Sequence, residues 1–503
     1  MISRRAFLGG GAGALALSAL LRTSGPASAD YGTPWNRLRQ LLRGQLVLPS
    51  DQAYATAKEL ELLQFDVINP QAIAYCISPA DVANCLNFAE QYGVRVTARS
   101  GGHSLGGYST IQGLIVDVSM LNSVTLGDGV VSLGPGAESV DVINALGPSG
   151  LAISTGYCPT VAAGGYLQGG GLGPLTRQVG VASDNMTAAQ VVLASGQVVT
   201  ASASSNSDLY WALRGGGGGN FGIVTSYSVT PTALTQLGVA SLSWSYDSAV
   251  DMLDGYAQWL VDAPRTIGGA ANITLADAAA GNTPTPGVLV LSSGTSTELN
   301  SEISRLISLT GAPTSQVVNV VPYQALLMGI YGCATLTVPQ CHLVGAGPQG
   351  VLPRPALGLQ RSRYFSAAVP RSGWEKAVAV FDAGRLTGQA HILEVIAIGG
   401  AANDLDRTET AYVHRDSLFI TTYLAEINAA PVPNSAAVVA HQWVNAGFAT
   451  IDPYSNGETY QNFIDPALQD WSQSYYAENY PRLVSVKAQY DPSGVFAFAQ
   501  SIR

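Results

Sequence analysis

Apolar and polar positions change period several times along the chain, and those changes predict its elements. Trp35 to Leu46 carries apolar residues at helical spacing and predicts a short amphipathic helix. Ala72–Cys76 is a strand-length apolar run, Ser78-Pro-Ala-Asp81 opens a helix to about Tyr92, and Val94–Ala98 is strand-like again. Short strands follow at Leu114–Val118, Ser123–Leu126 and Val130–Leu133, the last two joined by a Gly127-Asp-Gly129 turn. Ser139–Leu146 predicts a helix. Ala189–Leu193 and Gln197–Thr200 predict strands about a Ser-Gly turn, Asp208–Leu213 a helix, and β-branched Ile223–Val229 a strand.

From about residue 235 to 430 the texture changes. Longer helical stretches (Ala249–Asp262, Thr297–Leu309, Ser372–Ala383) alternate with strands (Val288–Leu291, Ile392–Ile398, Leu418–Tyr423). This predicts a second domain, an antiparallel sheet backed by helices. The tail predicts helices at Ala436–Phe448 and Tyr475–Lys487. A chain of 503 residues is too long for one core, so at least two domains are expected.

The breaks between elements hold the candidate chemistry. Ser154 to Gly173 contains Gly164-Gly165 and Gly169-Gly170-Gly171, with Cys158 fixed by a following proline. Glycine at this density lets a backbone approach a large ligand and aim N–H groups at phosphate or carbonyl oxygens. Arg99-Ser-Gly-Gly-His103-Ser leaves the end of a strand, where Gly101 and Gly102 can serve a pyrophosphate. Gly217, Gly219 and Gly222 spell a formal G-x-G-x-x-G. A Rossmann loop follows a strand and opens a helix, whereas this one precedes strand-like Ile223–Val229, so that reading is rejected. No Walker-type loop or zinc-ligand spacing occurs.

Composition narrows the class. Low charge, many apolar residues and 56 glycines suit a compact α+β enzyme. A net charge of −10 without a basic cluster argues against a nucleic-acid partner. Ser3-Arg4-Arg5-Ala6-Phe7-Leu8, an apolar run to Leu21 and Ala27-Ser28-Ala29 predict twin-arginine export with residues 1–29 removed. Cleavage removes Arg4, Arg5 and Arg22, takes the net charge to −13, and leaves no membrane segment. Of five cysteines, Cys76/Cys85 and Cys333/Cys341 form two locally spaced pairs, with Cys158 left over; all five reduced is the alternative.

Arg99-Ser-Gly-Gly-His-Ser, Gly156-Tyr-Cys-Pro-Thr-Val, Gly169-Gly-Gly-Leu-Gly, Arg214 to Val224 and Tyr475-Tyr-Ala-Glu-Asn-Tyr-Pro-Arg-Leu together resemble the berberine-bridge-enzyme-like flavoproteins. The resemblance covers nearly the whole mature chain in the family's order. It implies an α+β fold: a PCMH-type FAD-binding domain at 30–234, a substrate domain at 235–434, and a segment at 435–503 returning to the FAD site. It implies FAD bonded through both His103 and Cys158. It implies further cofactor contacts at Arg99, Ser100, Gly101, Gly102, Ser104, Thr160, Val161, Gly165, Tyr166, Gly170, Leu172, Gly173, Val224 and Asn462. Val161 falls at the family's oxygen-gating position, and Tyr166 near the flavin's pyrimidine end.

The implied reaction is oxidation of an alcohol or glycosyl carbinol, with O2 reduced to H2O2. The substrate is a small molecule: a sugar, an oligosaccharide, or part of a secondary metabolite. Removing a hydroxyl proton as hydride departs requires a base. Where several family members carry Tyr-x-Asn-Tyr and use the second tyrosine, this chain reads Tyr460-Gln-Asn-Phe463. Phe463 has no hydroxyl, so Tyr460 is the expected base, although an ideal strand would turn it to the other face. Tyr423 and Glu394 are the alternatives. Other readings on the same fold are a tailoring dehydrogenase or oxidative cyclase, and a flavin-binding drug-sequestration protein.

Overall fold

The structure, a computed structural model, describes residues 34–503; the signal expected at 1–29 lies outside the described residues. The first region builds two larger sheets, besides the two-stranded pairing of Leu151–Ala152 with Thr232–Ala233. Strands Ala72–Tyr75, Leu114–Asp117 and Val96–Arg99 pair in parallel, with Gln45–Val47 added antiparallel at one edge. The helix Pro79–Tyr92 makes the crossover. Its start is fixed by Ser78, whose hydroxyl accepts the Asp81 N–H, with Pro79 at the first position; Gly93, at φ 63°, ends it. The second sheet is antiparallel, in the order Val124–Gly127, Val130–Leu133, Ile223–Val229, Met186–Val192, Val198–Ser202.

The sheet expected in the second domain has seven antiparallel strands: Ser315–Pro322, Gln236–Ser243, Thr285–Ser292, Ile267–Leu275, Ala390–Ala397, Phe419–Ile427 and Leu357–Phe365. Alternation decides its two faces. Leu242, Ile273, Val290, Val395 and Tyr423 pack beneath helices Ala249–Val261, Ser296–Thr310, Arg371–Asp382 and Asn434–Ile451, with Trp259, Trp374, Phe381 and Trp443 filling the core. On the opposite face, Ala270, Ile396, Ile420 and Tyr364 are sealed by Leu172, Val181 and Tyr460. That second contact brings the glycine-rich loops against the sheet.

Three local expectations are corrected. The first helix stops at Leu41, and Gln45–Val47 becomes a strand. Gly44 lies so close to the neighbouring strand that a Cβ would meet the Tyr75 carbonyl oxygen at 1.9 Å, so only glycine lets the chain pass there into the strand. The Tyr475–Lys487 helix is two helices, Trp471–Tyr476 and Tyr480–Tyr490, broken where Ala477 takes φ 39° and restarted at Pro481. Of the cysteine pairs, Cys333–Cys341 is a disulfide, whereas Cys76 and Cys85 are buried free thiols with sulfurs 3.9 Å apart. No described helix is long and apolar enough to cross a membrane.

Candidate active site

The loops with expected site residues converge on one cavity of about 370 Å3 between the first region and the open face of the seven-stranded sheet. Residues 99–104 enter from the end of the Val96–Arg99 strand; Cys158, Val161, Gly165, Tyr166 and Leu172 come from the second glycine stretch; Val224 follows the third. Tyr460 and Asn462 arrive from the C-terminal segment. Thr160, Gly170 and Gly173 support this wall from behind. Thr160 Oγ1 lies 2.8 Å from His103 Nε2, and side chains at 170 or 173 would strike Tyr412 or the Thr155 carbonyl. Arg99 lines the cavity too: Asp117 and the Ala57 carbonyl engage its Nε and Nη2, and Nη1 is buried without a partner among the described residues.

Charges inside the cavity follow from burial. His103 is desolvated, which pushes its pKa down to about 4 and keeps the ring neutral. The Cys158 thiol is exposed to the cavity, yet deep in the chain. Desolvation there, reinforced by Glu61, Glu426 and Glu394, pushes it up to about 12. Burial also raises the Glu394 carboxyl to about 7.

The Tyr460 segment is irregular rather than a strand, and this resolves the facing problem. Tyr460 and Phe463 both line the cavity. Gly171, at φ 90°, turns its N–H onto Tyr460 Oη at 2.9 Å; the Leu172 N–H and the Asn462 amide donate to the same oxygen at 3.0 Å each. Three donors on one phenol oxygen favour the phenolate, but burial outweighs them and Tyr460 is pushed up to about 12. Behind it, His414 Nδ1 lies 2.7 Å from Glu458 and Nε2 lies 3.1 Å from Gln461. The imidazole therefore pins the segment on both sides of Tyr460.

Of the alternative bases, Glu394 faces the cavity. Tyr423 does not: it sits in the helix-side core and donates to the Ala377 carbonyl at 2.9 Å. Sequence reading also missed cavity residues. Gly217–Gly219, set aside with the Rossmann fingerprint, form part of the wall, as do Gln360, Leu424, Phe498 and Gln500. Strand alternation could have placed Gln360 and Leu424 on Glu394's face; nothing local marks Phe498.

Residues 70–202 match the FAD binding domain family, and 459–503 match the berberine and berberine like family. The chain is an FAD-linked oxidoreductase with an FAD binding domain and a berberine-like C-terminal segment. It is 28% identical to the uncharacterized FAD-linked oxidoreductase YgaK of Bacillus subtilis, over 92% of this chain and 97% of that one. It is 29% identical to a carbohydrate oxidase of Microdochium nivale (86% and 88% covered), and 27% to the aclacinomycin-N/aclacinomycin-A oxidase of Streptomyces galilaeus (86% and 85%). The Physcomitrella patens BBE-like 1 structure superposes with a TM-score of 0.83 at 24% identity, over 94% of this chain and 99% of that one, which establishes the fold. The cavity suits FAD: Gly165 leaves open space along its wall, and Tyr166 Oη and Gln168 Oε1 are buried there without partners among the described residues.

Proposed function

We propose that this FAD-linked oxidoreductase is an exported oxidase that takes hydride from an alcohol or glycosyl carbinol, holds FAD through both His103 and Cys158, and reduces O2 to H2O2. The observation that carries this reading is that His103, Cys158, Tyr460 and Glu394 all face one cavity. FAD, when bound, supplies the hydride acceptor and the reaction with O2. The chain supplies attachment, orientation and proton transfer. Burial keeps His103 neutral, so an unprotonated ring nitrogen is present at neutral pH; Thr160 occupies Nε2, and Nδ1 is the nitrogen left for attachment. The base is the phenolate form of Tyr460: the three N–H donors hold its charge until Oη takes the substrate's hydroxyl proton, which leaves a neutral phenol as hydride departs.

Glu394 lines the cavity, and its carboxyl, with the fields of Glu61 and Glu426 that also reach Cys158, disfavours an anionic substrate. An uncharged carbinol on a sugar or a secondary-metabolite glycoside fits, in keeping with the carbohydrate and aclacinomycin oxidases among the relatives. Val161 lines the cavity as a small side chain that leaves O2 access to the flavin.

Two observations favour variants of this reading. Glu394, raised to about 7, is the second candidate base. The missing hydroxyl at Phe463 favours a dehydrogenase that uses an acceptor other than O2. Peptide mass spectrometry of the purified protein tests the attachment, with FAD adducts expected on both His103 and Cys158. Peroxide release when reduced enzyme meets air tests the acceptor. An adduct at His103 alone, with no peroxide, would replace the oxidase by the dehydrogenase; no retained flavin would overturn both.

A further inference from the structure

Glu138, Asp141 and His342 bring one ligand atom each into a single group, all within 4.8 Å of one another, and none of the three lines the flavin cavity. The two carboxylates come from the start of the Ser139–Leu146 helix, Glu138 just before it and Asp141 in its first turn. His342 arrives from 201 positions beyond Asp141, one residue after the Cys333–Cys341 disulfide. No local spacing in the sequence marks such a group.

Each part is held from outside the group. The Glu138 backbone is bridged to Ala162, the disulfide fixes the chain beside His342, and the Val338 carbonyl meets His342 Nδ1 at 2.9 Å. A carbonyl only accepts, so a ring hydrogen sits on Nδ1 and the Nε2 lone pair faces the carboxylates. Nε2 lies 3.1 Å from Asp141 Oδ2 and 3.6 Å from Glu138 Oε2. Ligand atoms on a tetrahedral ion with bonds of about 2.0–2.1 Å stand roughly 3.3–3.4 Å apart, which matches. Glu138 Oε2 is itself buried and has no hydrogen-bond partner among the described residues. A buried carboxylate oxygen beside a lone pair requires a positive charge between them. With metal chelated, a proton on Nε2 supplies it. One nitrogen and two oxygens suit a zinc-like ion better than magnesium or calcium, which take all-oxygen sites. The Asp141 side chain is 39% exposed, so water can reach the remaining position.

We propose that Glu138, Asp141 and His342 bind one divalent transition-metal ion of the zinc type, with water completing its coordination. The ion clasps the disulfide loop to the start of the helix. That start is tied in turn to the flavin loop: the Ser139 N–H donates to the Val161 carbonyl and the Val140 N–H to the Pro159 carbonyl, both at 3.0 Å. Occupancy therefore stiffens residues 159–161, directly after Cys158. The ion takes no part in the proposed oxidation, and the site does not rest on that reading.

The test adds zinc to the flavin-loaded, tag-free protein after stripping with EDTA, and reads it by calorimetry at neutral pH and by X-ray absorption at the zinc edge. The expected result is one zinc per chain at micromolar affinity or tighter, with one imidazole among oxygen ligands at about 2.0–2.1 Å and no competition from magnesium. Asp141→Asn and His342→Ala should each weaken zinc at least tenfold and remove the rise in melting temperature that zinc gives the wild type. The partly exposed Asp141 keeps the test available should His342→Ala fail to fold. One zinc held equally by wild type and both variants would place the ion elsewhere and overturn the proposal. Absence of stoichiometric binding up to millimolar zinc would overturn it as well, leaving a proton as the only cation of the group.

Discussion

The backbone N–H of Gly171 donates to the phenol oxygen of Tyr460 at 2.9 Å, joining two residues 289 positions apart. Tyr460→Phe removes the acceptor of three donors and the proposed proton acceptor together. We expect kcat to fall by about 10²–10⁴ with the flavin retained. The orphaned N–H groups should also cost about 1–3 kcal/mol, read from urea unfolding. Full activity in this variant would remove Tyr460 from the chemistry.

Glu394 provides the pH signature that separates the two bases. A carboxyl raised to about 7 works as a base only when deprotonated, so kcat/KM should rise with pH through about 7 and lose that limb in Glu394→Gln. If Tyr460 alone serves, the limb lies well above 7 and the Gln variant leaves it in place. The same raised value gives a stability contribution that is fully present below about 4.5 and lost as pH rises through 7.

His342 ties the disulfide loop to the Ser139–Leu146 helix. Its Nδ1 meets the Val338 carbonyl at 2.9 Å, and Nε2 lies 3.1 Å from Asp141 and 3.6 Å from Glu138. The hydrogen bond to Asp141 is the main cause that draws it up to about 9, and burial raises the neighbouring Glu138 to about 7. Because the folded value exceeds the ordinary one, this stabilisation is complete below about 6.5 and disappears as pH rises through 9. Melting temperatures of wild type and His342→Gln should differ at pH 6 and converge near pH 10.

Arg177 anchors the glycine-loop region to the sheet. Nε donates to the Ile267 carbonyl at 2.6 Å and Nη2 to that of Ala263 at 2.8 Å, while Nη1 reaches Ile398. A lysine cannot reproduce this fork, so Arg177→Lys should lose about 2–3 kcal/mol in urea unfolding and release flavin more readily.

His414 lets positioning be told from chemistry. Removing the ring in His414→Ala frees Glu458 and Gln461 on either side of Tyr460. The expected result is a lower kcat with an unshifted pH profile, since the proton-accepting groups are unchanged; a shifted profile would mean that His414 titrates with the reaction.

The sequence by itself determined the elements and the chemistry of the loops. Period and capping residues mark Pro79–Tyr92 and Ile223–Val229 within the chain, and glycine clusters around His103 and Cys158 announce a large ligand, because these signals depend on backbone sterics within a few residues. Breaks such as Ala477 were hidden, since a positive φ at an alanine is imposed by packing around it. Only the tertiary structure decided which faces meet: that Tyr460 and Phe463 share a wall, that Tyr423 is core, that Cys76 and Cys85 stay reduced, and that His342 reaches Glu138 and Asp141. Those relations join residues tens to hundreds of positions apart through strand register and burial. No local pattern encodes which distant carbonyl, ring or carboxylate will occupy the other side of a contact.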